Sequence, residues 1–413
     1  MNRRRFLGQF VWVAGGRILA ALLQAVTLVL VARAVSPAEF GFLGAFLGLA
    51  TIAQTVVDVG ISTFIIRERS ANPRSGAIAV AMKLNTITSA LLATLTAAVL
   101  LVLGLTTNGV YLAMIPLAIW IGAERNADAR LSVVFADGDV KINVANLLAR
   151  RTATVSLFFL LHLTGMPAIL AYACGSAVAA AGSSAFANYF VRRRVSPASD
   201  ISFPDLFRQS YPYWVHSMAT QARNADVTLV GIFAGATQAG FYSSGSRLTN
   251  PLQILPYSLA NILLPEATRR HQGNRTFRPL LLLSLAMVAA ATGLYAIIFV
   301  LMPWFAEWAL GPEYIPAIPA IQCILLGLPF AAATALLHAL LQGLGKKHLV
   351  ATTSTVFTVV ILTTLSALAA GFGAVGAAVG LSICLAAQSM YLGVRLALEL
   401  RRRPQGPPSS VTS

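Results

Sequence analysis

Apolar residues run along this chain in blocks of roughly twenty to thirty, each interrupted by a short polar stretch. The blocks fall near 9–35, 41–66, 77–105, 110–135, 144–163, 167–191, 212–234, 240–264, 279–305, 318–341, 349–370 and 374–396. About twenty consecutive apolar residues span the hydrocarbon core of a bilayer as a helix. In lipid every backbone polar group must be satisfied inside the segment or in a closed barrel. Blocks this long, without the ten-residue alternation of barrel strands, are helical. The pattern predicts an all-α integral membrane protein of about twelve transmembrane helices.

The loops between blocks alternate in charge. One set carries Arg3 to Arg5; Arg67, Arg69 and Arg74; Lys141, Arg150 and Arg151; Arg192 to Arg194 and Arg208; Arg269, Arg270, Arg275 and Arg278; Lys346 and Lys347; Arg401 to Arg403. The other set holds Arg33 and almost no further base. This is the positive-inside signal, and it predicts an even number of spans with both termini cytoplasmic. Trp304, Trp308 and Tyr314 on one side, and Tyr211, Tyr213 and Trp214 on the other, suit interfacial aromatic belts. A polar stretch divides six spans from six. Residues 1–195 are expected to form an N-terminal six-helix lobe, 196–210 a cytoplasmic connector, 211–400 a C-terminal six-helix lobe and 401–413 a disordered basic, proline-rich tail. Residues 28–31 through Gly41 align weakly with 227–230 through Gly240, as in parallel repeats related by an axis along the membrane normal.

Composition narrows the class. Hydrophobic residues make up 57% of the chain and charged ones 11%, against about a quarter charged in soluble domains. The net charge of +16 does not indicate nucleic acid, because the bases sit in short loop clusters without interleaved aromatics. Cys174, Cys323 and Cys384 lie far apart in apolar blocks, with no metal-binding spacing, so no metal or cofactor is expected. Arg3, Arg4 and Arg5 with Phe6 and Leu7 fit a twin-arginine signal, but Arg17 interrupts the apolar run and no cleavage site follows. Gly343, Gly345 and Lys346 lack phosphate-loop spacing, and Gly376 with Gly380 is a helix-packing motif. Nothing forms an enzyme constellation.

Ionisable groups at membrane depth cost several kcal/mol unless they face a cavity or a partner. They occur here on few spans: Arg17, Gln24, Gln54 and Asp58; Glu124, Arg125, Asn126, Asp128 and Arg130; Gln221, Arg223, Asn224 and Asp226; Arg247, Asn250, Gln253 and Asn261; Gln322 and His338. Arg17 and Gln24 lie two turns apart on one face, and Arg247, Asn250 and Gln253 step by three. A water-filled cavity between two bundles accounts for this, with Arg17, Gln24, Asp58, Arg223, Asp226, Arg247 and Asn250 as candidate substrate-binding residues. Internal pairing is the competing reading, for instance Arg223 with Asp226 at i, i+3. The Glu124 to Arg130 group fits either the cavity or the cytoplasmic interface, where arginine snorkels. His338 and His216 are expected to pack, and Leu92 on the third span to face lipid.

Several stretches resemble one family. Leu30, Val31, Ala32 and Arg33, then Ser36 to Gly41, then Asp58, Val59, Gly60 and Ile61 with Arg67 and Glu68, are similar to the opening of bacterial polysaccharide and oligosaccharide-lipid flippases. Ala225, Asp226, Gly231, Gly240, Phe241, Tyr242, Ser246, Arg247 and Leu248, with Leu264 and Pro265, resemble their seventh and eighth helices, and Leu310 to Tyr314 the loop before the tenth. These flippases belong to the multidrug/oligosaccharidyl-lipid/polysaccharide exporter (MOP) superfamily. The resemblance implies the MATE-like MOP architecture of two six-helix lobes in a V. It implies a bacterial inner-membrane, multi-pass protein that moves polyprenyl-diphosphate-linked oligosaccharide by alternating access. A lipid-linked glycan, membrane lipids, a coupling ion (H+ or Na+) and other glycan-assembly proteins are the implied partners. Asp58, where lipid-II-type relatives carry a cation, argues against lipid II as cargo. The alternatives are a cation-coupled multidrug exporter of the same superfamily and a non-transporting scaffold for glycan assembly.

Overall fold

A computed structural model describes residues 3–195, 203–273 and 276–401; the side chains of 3–11, 13, 14, 203, 209, 212, 213, 215, 216, 219 and 220 are outside that description. Residues 196–202 of the expected connector, the tail beyond 401 and the side chains of Arg3 to Arg5, Tyr213 and His216 therefore lie outside the described residues.

The described residues form fifteen α-helices making twelve crossings. The first crossing is α1 (Arg3–Arg33). The second is α2 (Pro37–Asp58) continued by α3 (Ile61–Ala71), and the third is α4 (Ala77–Thr106). The fourth joins α5 (Val110–Ala113) to α6 (Leu117–Ala136); α7 (Val140–Leu163) and α8 (Ala168–Arg192) follow. The seventh is α9 (Phe203–Gln221) with α10 (Asp226–Ala234), and the eighth α11 (Ala236–Thr249) with α12 (Ile254–Gln272). Then come α13 (Arg278–Leu310), α14 (Ile318–Gly343) and α15 (Lys347–Arg401). Gly373, at φ 60° and ψ −143°, breaks α15 into the last two crossings. Eight of these helices, α15 counted once, are long and apolar enough to cross a membrane unaided. The rest are the charged α6 and the two crossings broken by 3-10 turns at Ala222–Ala225 and Asn250–Gln253. These interruptions fall where the sequence concentrates polar residues.

Side chains from other helices stabilise the break in the second crossing. Val59 and Gly60 both have positive φ, 52° and 75°, which ends α2 and orphans its last carbonyls. The Arg125 guanidinium of α6 donates to the Val57 carbonyl at 2.7 Å, and the Trp214 indole of α9 donates to that of Val56 at 2.9 Å. At the other end of α2, Ser36 and Glu39 form a capping box with Pro37 in the first turn.

The apolar cores show how the halves sit. At the basic end, one cluster around Ile61, Ile78, Leu131, Val191 and Leu206 draws only on the first half and α9. A second, around Leu263, Leu336, Leu340, Val350 and Leu396, draws only on the last four crossings and α12. Toward the base-poor end a single cluster takes residues from both halves, including Leu43, Leu117, Val227, Tyr242 and Ile321. There Tyr314 stands edge-on to Phe40 of the first half at 6.2 Å and to Phe241 of the second at 6.3 Å. Arg33 donates to the Trp308 carbonyl at 3.0 Å. The tightest contact is main chain on main chain: a Cβ on Gly41 would overlap the Ala236 carbonyl, and one on Gly240 the Pro37 carbonyl. The halves are thus sealed at the base-poor end and have separate cores at the basic end. Leu92, expected to face lipid, is buried in the shared core; its neighbours Leu91 and Leu95 are the exposed positions on α4.

Candidate functional site

Two polar centres lie within the bundle, one in each half. In the first half, Arg150 of α7 reaches Glu124 at 3.2 Å and Asp128 at 3.0 Å, both on α6, and Arg151 reaches the same Glu124 oxygen at 3.0 Å. Next to Glu124 on α6, Arg125 pairs with Asp58 at 3.3 Å, and Asp58 also accepts from the Ser62 hydroxyl at 2.9 Å. Arg130 donates to Asn126 and Thr86, and Asn126 in turn donates to Ser184. Glu124, Arg125 and Arg150 are buried. Glu124 is seven residues into α6 and Arg150 ten into α7, about 10–15 Å along each helix. Glu124, Arg125 and Arg150 therefore lie well inside the bundle as buried, paired charges, not as arginines snorkelling to one end, while the side chain of Asp128 is 57% exposed.

The second centre is a cavity of about 1200 Å³ in the second half. One wall carries Gln221, Arg223, Asn224 and Asp226, at the 3-10 break of the seventh crossing. Arg247, Asn250, Gln253 and Tyr257 come from the eighth. The facing wall is α14 and both halves of α15, with His338, Gln342, Lys347, His348, Thr358 and Gln388. Lys347 and His348 follow the basic loop between α14 and α15, so the cavity reaches the basic end. The 3-10 turns at Ala222–Ala225 and Asn250–Gln253 carry Arg223 and Asn250 to this wall.

Charge in the cavity is unbalanced. Among the described residues, Arg223, Arg247 and Lys347 line it with one carboxylate, Asp226. Asp226 is engaged with neutral donors, accepting from its own following amide, Val227, at 2.7 Å and from the Tyr242 hydroxyl at 3.2 Å. Among the described residues no ion pair within 4.0 Å joins it to Arg223 or Arg247, so the i, i+3 pair does not form. Arg247 donates to the Gly44 carbonyl of α2 at 3.2 Å, and its Nε is buried without a partner. It also borders a small apolar crevice beside Ala25, Leu28 and Val29 of α1.

Of the seven candidate residues, the structure gathers Arg223, Asp226, Arg247 and Asn250 around one cavity. Asp58 is held by Arg125 in the first-half network. Arg17 is exposed, next to the contact of Gly16 with Val144 near the start of α7. Arg247 meets α1 at Ala25 to Val29, about 12–18 Å along the helix from Arg17, so the two arginines do not converge. Gln24 is half-buried on α1 and absent from the cavity wall. Gln54 and Gln322 donate to the carbonyls of Ile121 and Phe299 and tie helices together. On the facing wall His338, expected only to pack, lines the cavity, and the other polar residues there come singly from apolar helices. The available signal was spacing: Ile324, Leu328, Ala331, His338 and Gln342 fall on one face of α14.

Comparison with solved structures places this fold. An inward-facing multidrug resistance MATE family transporter of the MOP superfamily superposes with a TM-score of 0.74 at 15% identity, covering 93% of this chain and 96% of that one. An outward-facing structure of such a transporter gives 0.67 at 14% identity, covering 97% of each chain. A MOP superfamily transporter from Pyrococcus furiosus gives 0.65 at 14% identity, covering 95% and 96%. No curated protein matches by sequence. The family model described as polysaccharide biosynthesis protein matches residues 6–269. The chain belongs to that polysaccharide biosynthesis family, and its family and fold are those of membrane flippases and exporters, not of enzymes.

Proposed function

We propose that this protein flips polyprenyl-diphosphate-linked oligosaccharide across the bacterial inner membrane by alternating access, for lipopolysaccharide, capsule or exopolysaccharide assembly. The observation that carries the reading is the second-half cavity, with Arg223, Arg247 and Lys347 set against the single carboxylate Asp226. Its volume of about 1200 Å³ exceeds the usual 300–1,000 Å³ of sites for drug-sized ligands. The guanidinium fork suits phosphate oxygens. Taking the basic end as cytoplasmic, the sealed Gly41–Gly240 end faces outward and the cavity is open to the side where lipid-linked glycans are made. Both termini are then cytoplasmic, and transport requires the Gly41–Gly240 contact to open while the basic ends close. Asp226 is the residue on which H+ or Na+ coupling would act. Other glycan-assembly proteins are the expected neighbours.

The test is reconstitution of the full chain in phosphatidylethanolamine–phosphatidylglycerol vesicles with a fluorescent polyprenyl-diphosphate oligosaccharide, read by quencher access to each leaflet. Protein-dependent movement of the glycan lipid, lost in Arg247→Ala, supports the proposal. Ion-driven extrusion of cationic dyes without glycan-lipid movement would establish the multidrug alternative, and neither activity would leave a scaffold.

A further inference from the structure

The first-half network has an outer edge. α4 and α8 each pack along α6 and scarcely touch each other, which leaves a groove over α6. Ile119, Ala123, Asn126 and Arg130 form its floor, at helical spacing on one face and none of them buried. Large apolar side chains beside it are exposed, Ile87 and Leu91 on α4 and Phe186 and Tyr189 on α8, so the groove opens to lipid. A polar step crosses the floor. Asn126 donates to Ser184 of α8 at 2.9 Å, and Arg130 donates to Asn126 at 3.2 Å and to Thr86 of α4 at 3.0 Å. These bonds hold the Arg130 guanidinium across the groove, while its Nη1 makes no hydrogen bond among the described residues. One turn nearer the basic end than Thr86 and Ser184 stand Lys83 and Asn188, both exposed. Among the described residues neither side chain has a hydrogen-bond or ion-pair partner.

Depth and charge say what fits there. α4 has 30 residues and is about 45 Å long, the thickness of a bilayer with both headgroup layers. Lys83 stands six residues inside its basic end, and Arg130 six inside that of α6, about 9 Å in each case. That is the boundary between acyl chains and headgroups. A cation facing lipid without a carboxylate is costly unless an anion joins it. Snorkelling needs a side chain free to swing, and Arg130 is tied down by Thr86 and Asn126. Basic pockets between helices near the cytoplasmic surface suit anionic headgroups. We infer that the α4–α6–α8 groove binds an anionic phospholipid of the basic-side leaflet, with Lys83, Arg130 and Asn188 on its phosphate and an acyl chain along Ala90, Ala123 and Ile119. A zwitterionic lipid is disfavoured, because its own ammonium offsets the phosphate. The groove lies outside the cavity and is independent of what the cavity carries.

The test titrates phosphatidylglycerol and phosphatidylethanolamine onto the purified, delipidated full chain in detergent, with bound lipid counted by native mass spectrometry. The wild type is expected to prefer phosphatidylglycerol, and a large excess of inorganic phosphate should fail to displace it. Loss of one charge-assisted contact lowers affinity roughly tenfold, so Lys83→Gln and Arg130→Gln should each weaken phosphatidylglycerol by that factor and leave phosphatidylethanolamine unchanged. Lys83 has no side-chain bond to lose among the described residues, so Lys83→Gln should melt like the wild type without added lipid. It carries the test even where Arg130→Gln, which gives up its bonds to Thr86 and Asn126, folds poorly. Equal affinity of the wild type for the two lipids, or unchanged phosphatidylglycerol affinity in Lys83→Gln, would overturn the inference. Displacement by inorganic phosphate would reduce the groove to a site for any anion and overturn it as well. So would an Asn188→Cys variant that cross-links to a second polypeptide in native membranes, since a partner's helix would then fill the groove.

Discussion

Arg247, on the eighth crossing, donates to the main-chain carbonyl of Gly44 on the second crossing at 3.2 Å. The cavity's arginine is therefore also a contact between the halves. α11 enters from the base-poor end, and side chains on a helix lean toward its N-terminus. Arg247 consequently points up toward the sealed end, where α2 and α11 touch main chain to main chain at Gly41 and Gly240.

The seal should respond to a single methyl group. At Gly240 a Cβ overlaps the Pro37 carbonyl, and backbone cannot swing aside as a side-chain tip can. Overpacking typically costs about 1–3 kcal/mol. Gly240→Ala is expected to destabilise the sealed arrangement by that order, and Gly240→Leu by more. A cysteine at His338 should then lose reactivity to a hydrophilic thiol reagent added from the basic side, because the population moves away from the basic-end-open state. Unchanged reactivity together with an unchanged melting temperature would argue against the seal.

The first-half network should govern stability and leave binding alone. Arg150 neutralises Glu124 and Asp128 together. Removing one partner of a buried ion pair costs about 3–5 kcal/mol, because it strands the remaining charge. Arg150→Met is expected to lower the detergent melting temperature and the membrane abundance sharply. A double variant with Glu124→Gln should recover part of the loss. No recovery would show that the pair is not the source of the effect.

The number of crossings, the all-helical class and the sorting of loops by charge were legible because lipid imposes one strong rule: long apolar runs with charges confined to alternate ends. Depth was not legible. Arg17 and Arg247 read as equivalent buried cations, yet a helix that continues past the bilayer, as α1 does from Arg3, leaves its apolar run without a fixed level. Pairing was also hidden, since Arg125 meets Asp58 from 67 residues away. Arg223 and Asp226, close in sequence, form no ion pair, and the Asp226 carboxylate instead accepts from the Val227 amide and the Tyr242 hydroxyl. The α14–α15 wall lacked any local cluster of polar residues to flag it.

Topology can be checked directly. Single cysteines at Arg193 and Lys346 should label only from the cytoplasmic side, and cysteines at Glu307 and Glu313 only from outside, because the first pair lies in the basic loops and the second in a base-poor one. Labelling of Arg193 and Glu313 from the same side would remove the even-span arrangement and the orientation assumed for the cavity.

Replacing the cavity arginines tests the anion site most directly. Arg247 has no carboxylate within ion-pair distance among the described residues, its Nε is unpartnered, and its one hydrogen bond goes to a main-chain carbonyl. A cation so placed is costly unless an anion joins it. Charge-assisted hydrogen bonds contribute about 1.5–3 kcal/mol, so Arg247→Ala should weaken binding of a polyprenyl diphosphate by roughly tenfold or more. Arg247→Lys keeps the charge without the fork and should lie between. Arg223→Ala, across the same cavity, should act in the same direction. Asp226→Asn removes the only carboxylate on the cavity wall among the described residues and should tighten diphosphate binding while reducing any dependence of transport on an ion gradient. Those opposite signs matter. If Arg247 served only to hold α2 against α11, Arg247→Ala would lower the melting temperature, and Asp226→Asn would leave diphosphate affinity where it was.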